Sequence, residues 1–127
     1  MKPEELSPLN LAYLGDAVFE LMVRERLVSG STESVDRLFN KSKNIVNASA
    51  QSRSYFRLYD RLSPDEQLIV KRGRNSKSSS KAKNASVMEY RYATGLEALF
   101  GFLYLSGKTD RLKEVFAMCI ADGEIVL

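Results

Sequence analysis

Residues 9–20 read Leu-Asn-Leu-Ala-Tyr-Leu-Gly-Asp-Ala-Val-Phe-Glu. From here Leu11, Leu14, Val18, Leu21 and Met22 follow the i, i+3, i+4, i+7 spacing of one buried helix face. Ser7-Pro8, just upstream, supplies a capping serine and a proline at the first helical position. Two residues disturb this helix. Gly15 weakens it by ~1 kcal/mol relative to alanine, and Asp16 sets a carboxylate among apolar neighbours, where an unpaired charge is expensive to bury. Packing alone explains neither.

Outward from this stretch, helix signals recur and strand signals do not. Ser63-Pro64-Asp65-Glu66 forms a capping box before Leu68, Ile69 and Val70. Val35, Leu38, Phe39 and Ser42 begin a second amphipathic segment, and the aromatic-rich stretch 54–62 extends a third. Residues 90–107 predict a long apolar helix closed by Gly107, followed by a last helix carrying Leu112, Val115, Phe116, Cys119 and Ile120. The expected fold class is all-α.

At 127 residues, 44% hydrophobic and 28% charged, the chain has room for one domain, 1–127. It has no run of roughly 18 apolar residues, and its N-terminus lacks a signal-peptide layout. The lone Cys119 suits a reducing compartment. These features lead us to expect a cytoplasmic protein away from membranes. Histidine is absent, which removes the Ser-His-Asp and Cys-His nucleophile systems and His-ligated zinc chemistry. Any chemistry falls to carboxylates, which suit Mg²⁺ or Mn²⁺.

The stretch 71–86 stands apart. It holds Lys71, Arg72, Arg74, Lys77, Lys81 and Lys83, Gly73, a serine run and no acid, and the expectation is a flexible basic loop. Without those six residues, 13 Lys and Arg face 16 acids, a net of −3, so the overall +3 comes from this one segment. Two readings stand: a phosphate-binding element or a solvated linker kept soluble by its lysines.

Asp16 has a counterpart in Glu97, also amid apolar residues, and each has a glycine just upstream, Gly15 and Gly95. On helical spacing Asp16 shares a face with Leu9, Ala12 and Glu20, and Glu97 with Tyr90, Ala93, Thr94, Gly101 and Tyr104. If the two helices cross near these glycines, the carboxylates meet at a cleft. The alternative is structural: buried pairs with Arg24, Arg53 or Arg91.

These residues resemble a known family. "YLGDAV" (13–18) and "LEALFGFLYL" (96–105) are similar to the two acidic helices of ribonuclease III domains. The ordered set "LAYLGDAVFE" (11–20), "VNASAQ" (46–51), "KRGRNSK" (71–77) and "YRYATGLEALFGFLYL" (90–105) resembles the Mini-ribonuclease III group. The resemblance implies an all-α, homodimeric endoribonuclease cutting double-stranded RNA with Mg²⁺, for which Mn²⁺ can substitute. The group lacks a separate RNA-binding domain and trims a stem formed by the ends of the 23S ribosomal RNA precursor; ribosomal proteins or a pre-ribosomal particle are further candidate partners.

Carried over, Asp16 and Glu97 are the catalytic and metal-binding pair. Glu20 and Thr94 are supporting positions, and Lys71, Arg72, Arg74, Lys77, Lys81 and Lys83 are the RNA-binding set. Leu9, Ala12 and Thr94 stand where larger family members carry acids, which agrees with the Mini group. Tyr13, Phe19 and Phe100 are apolar candidates for a dimer face. Two other readings remain at this point: a non-catalytic RNA-binding or ribosome-associated protein of degenerate site, and a helical interaction module with a basic tether.

Overall fold

Five of the described helices begin where a short polar side chain caps free N–H groups. Ser7 accepts from the Asn10 amide, Ser34 from Arg37, and Asn47 from Ala50. Ser63 with Glu66, and Ser86 with Glu89, form reciprocal capping boxes. The computed structural model, which describes residues 1–76 and 86–121, thus has six α-helices. They are α1 (Pro8–Val28), α2 (Val35–Ile45), α3 (Ala48–Leu58), α4 (Pro64–Asn75), α5 (Val87–Leu105) and α6 (Thr109–Ala121). Short 3-10 turns lie at Pro3–Glu5 and Tyr59–Arg61, and the described residues contain no strand. The all-α expectation holds. None of the described helices is long and apolar enough to cross a membrane.

α5 is the central element, packed by α1, α3 and α4. From Ala93 to Leu103 every residue is buried except Glu97, as expected of a helix that is apolar all round. Leu96, Leu99, Phe100 and Leu103 are at most 1% exposed. Phe19 of α1 meets Phe100 edge-to-face at 5.0 Å and Phe116 of α6 at 5.9 Å, joining three helices at one aromatic contact. Phe19 and Phe100 are therefore core residues rather than a dimer face, while Tyr13 is 86% exposed. α5 ends in a Schellman turn, with Gly107 at φ +68° and Lys108 N–H donating to the Leu103 carbonyl.

Glycines set the helix approaches. A Cβ on Gly15 would lie 1.6 Å from the Glu97 carbonyl oxygen, and one on Gly101 would lie 2.0 Å from the Leu11 carbonyl oxygen. Helices α1 and α5 therefore cross at Gly15 and Gly101. This corrects the expected partner of Gly15: Gly95 instead faces α4, where a Cβ would lie 2.6 Å from the Val70 carbonyl oxygen. Gly73 packs against it, its own Cβ position 2.9 Å from the Gly95 Cα.

That packing explains a second correction. The basic stretch does not begin as a loop at 71. The capping box at Ser63 starts a helix that runs to Asn75, so Lys71, Arg72 and Arg74 are helical, and Gly73 is a packing contact rather than a breaker. Lys77, Lys81 and Lys83 lie outside the described residues. On α1 the buried face is Leu11, Ala12, Gly15, Phe19, Val23 and Leu27, with Val18, because the close crossing turns that side inward; Leu21 is exposed. On α2, Val35 and Phe39 are exposed, and Leu38, Ser42 and Ile45 face the core instead. α6 is tied down by Arg111, which donates to both oxygens of the buried Glu66 at 2.9 Å and to the Arg61 carbonyl. Burial alone would raise the Glu66 pKa, but the Arg111 and Ser63 hydrogen bonds together with the Arg111 charge outweigh it and hold the carboxyl below its ordinary value.

Candidate active site

The crossing at Gly15 puts the Glu97 backbone in the space a side chain would fill, so Asp16, the next residue on α1, comes beside Glu97 by construction. The Asp16 and Glu97 carboxyls are within hydrogen-bonding reach of each other. Glu97 is only partly buried and Asp16 is exposed, so the pair opens to solvent. Burial, the hydrogen bond to Asp16 and the Asp16 charge push the Glu97 pKa up to about 9, against a hydrogen bond from Gln51 that lowers it. Without a cation Glu97 keeps its proton across the neutral range.

The structural alternative expects buried arginine pairs, and no arginine is among the groups acting on Glu97. Arg24 reaches Glu20 at 2.8 Å, one turn beyond Asp16, and the charge acting on Glu97 is that of Asp16. Arg53 acts instead on Glu89. Glu20 is thus engaged in a surface i, i+4 pair. Thr94 is buried, and its hydroxyl donates to the Tyr90 carbonyl at 2.9 Å, within its own helix. Among the described residues no cluster of three or more His, Cys, Asp or Glu side chains is gathered.

Two facing carboxyls fit Mg²⁺ or Mn²⁺. Mg²⁺ takes one or two carboxylates and fills its other positions with water and phosphate oxygens, and a divalent cation held there would offset the burial and the Asp16 charge that raise the Glu97 pKa. The residues present would hold such an ion through Asp16 and Glu97.

Of the predicted RNA-binding set, Lys71 lies over the Tyr59 ring, Arg72 donates to the Glu4 carbonyl, and Arg74 lies over Tyr92. They form one side of α4 rather than an arm reaching from it. Gln51 has no role on sequence grounds alone, yet its amide sits 3.5 Å from Glu97 Oε2. The signal that could have found it is its place as the last residue of "VNASAQ".

A helical domain whose crossing helices set two acids at one open point is of the ribonuclease III type: the Ribonuclease III domain model matches residues 9–108. The chain belongs to the ribonuclease III family, endoribonucleases of double-stranded RNA, and within it to the Mini-ribonuclease 3 group. It is 46% identical to Mini-ribonuclease 3 of Thermoanaerobacter sp. over 91% of this chain and 81% of that protein. It is 43% identical to the Brevibacillus brevis protein of the same name over 96% and 92%. The crystal structure of a Fusobacterium nucleatum protein superposes with a TM-score of 0.86 at 34% identity, covering 95% of this chain and 98% of that one.

Proposed function

We propose that this protein is a Mg²⁺-dependent endonuclease, with Mn²⁺ able to substitute, that matures the 23S ribosomal RNA precursor in the cytoplasm by cutting a stem formed by its ends. The observation that carries the metal-dependent reading is the Asp16–Glu97 pair, held at one point by a crossing that no side chain at position 15 permits. A bound divalent ion supplies charge neutralisation at the phosphate and an acidified water. The chain's own part is to present two carboxylates without histidine; Asp16 and Glu97 would hold the ion, with the Glu97 proton passing to solvent.

Recognition rests on shape and phosphates, because A-form RNA hides its base edges in a deep, narrow groove. The basic residues from Lys71 to Lys83 supply the cations. A homodimer provides one site per strand. Exposed apolar side chains support it: Tyr13, one turn before Asp16, is 86% exposed, and Leu21 and Tyr104 are exposed along a groove that Leu14 and Met22 also line. Sedimentation at micromolar concentration is expected to give a dimer, and a monomer there would remove this part.

The test is a long RNA duplex incubated with wild type, Asp16→Asn and Glu97→Gln, with Mg²⁺ or EDTA. Wild type cuts only with Mg²⁺, and each variant loses roughly 10³-fold or more, about 4 kcal/mol of barrier. Cutting that persists in both variants or in EDTA discards the assignment. A second reading, a non-catalytic RNA binder, draws on Leu9, Ala12 and Thr94, which carry no acid; duplex binding by wild type without cutting would favour it.

A further inference from the structure

We propose that Gln51 is a positioning residue for Glu97, setting the orientation in which that carboxylate accepts a divalent cation. Three observations carry this. Gln51 lies in the first turns of α3, a helix capped by Asn47, and so reaches the site from an element that contributes no acid to it. It is 4% exposed, in a position where an amide without a partner is costly. Its Nε2 donates to Glu97 Oε2 at 3.5 Å, across 46 residues of chain.

An amide suits this task better than the alternatives. It donates without carrying charge, so it neither competes with Asp16 for the cation nor titrates as the cation arrives. A lysine or arginine there would place a positive charge against the incoming ion, and a third carboxylate would add repulsion. Carboxylates that ligate metals are themselves held by hydrogen bonds from surrounding groups, and removing such a partner typically weakens metal affinity or activity by roughly 10–100-fold. The 3.5 Å separation is long, as hydrogen bonds in ligand-free sites commonly are.

The inference rests on the reading of Asp16 and Glu97 as the metal pair, and its test separates the two. Mn²⁺ binding to the full chain is measured by electron paramagnetic resonance for wild type, Asp16→Asn, Gln51→Met and Gln51→Leu. Metal-free melting is measured alongside. Both Gln51 variants keep the side-chain volume and remove the donor. They are expected to melt close to wild type, to bind Mn²⁺ roughly 10–100-fold more weakly, and to recover cutting at high Mn²⁺ with an unchanged KM for duplex. If Asp16→Asn binds Mn²⁺ like wild type, the metal pair itself is wrong. If Asp16→Asn loses binding while the Gln51 variants keep wild-type affinity, only the role of Gln51 falls. Unfolding of both Gln51 variants also overturns it: loss of one donor costs only about 1–3 kcal/mol, so a collapse of the fold would make the role of Gln51 structural.

Discussion

Glu97 is the one partly open position in an otherwise buried run of the central helix, and it sits beside another acid. Such a residue acts against the stability of the metal-free fold. Its folded pKa of about 9 lies above the ordinary glutamate value, so its favourable contribution is complete below about pH 4.5 and fades as pH rises toward 9. Glu97→Gln therefore abolishes cutting yet stabilises the metal-free protein by about 1–2 kcal/mol at pH 9, with the difference closing at low pH. Thermal melts across that range check this; a variant less stable than wild type at pH 9 would contradict it. Mg²⁺ raises the melting temperature of wild type and not of the variant. Asp16 and Glu97 are legible in the sequence because charge inside an apolar period is conspicuous. Gln51 is not, because a polar residue in a short amphipathic helix looks ordinary until its depth is known.

Two glycines of α5 point at different neighbours, and this decides what the elements do. Gly15 and Gly101 seat α1 on α5, whereas Gly95 and Gly73 seat α4. Sequence spacing shows that glycines permit close approach but not which helix approaches, so the pairing of Gly95 with α4 is invisible there. The caps at Ser7 and Ser63 are plain in the sequence because each precedes a proline, while the box at Ser86 and Glu89 is hidden at the edge of the basic stretch. The C-terminal turn of α4 is equally hidden, since Gly, Arg and Ser look like a loop when the partner glycine is unseen. Gly15→Ala is expected to cost about 3 kcal/mol, at the upper end of overpacking, since its Cβ meets backbone rather than a mobile side chain. Denaturant unfolding measures it. A cost below about 0.5 kcal/mol, the size of an ordinary surface substitution, would mean that α1 and α5 do not cross there.

At the scale of the whole molecule, charge is segregated: an acidic pair on one helix crossing and a cationic segment that outweighs the rest of the chain. On the proposed reading, the cationic segment would meet the phosphates of duplex RNA and the carboxylate pair would serve the cut. Replacing Lys71, Lys77, Lys81 and Lys83 with alanine is expected to flatten the slope of log K against log salt by about one unit for each phosphate no longer neutralised. An unchanged slope in a salt titration removes the segment from the interface. The all-α architecture and the family are legible from helix periods and ordered motifs; the depth of α5 and the pairing of helices are not, because both depend on residues distant in sequence.

The account turns on Asp16 and Glu97 forming one site. Single-turnover cleavage of an RNA duplex in Mg²⁺ by Asp16→Asn, Glu97→Gln and the double variant tests this most directly. Groups acting as a unit are non-additive, so each single variant should lose about as much as the double. Losses that multiply, or a single variant that keeps most of the wild-type rate, would contradict it.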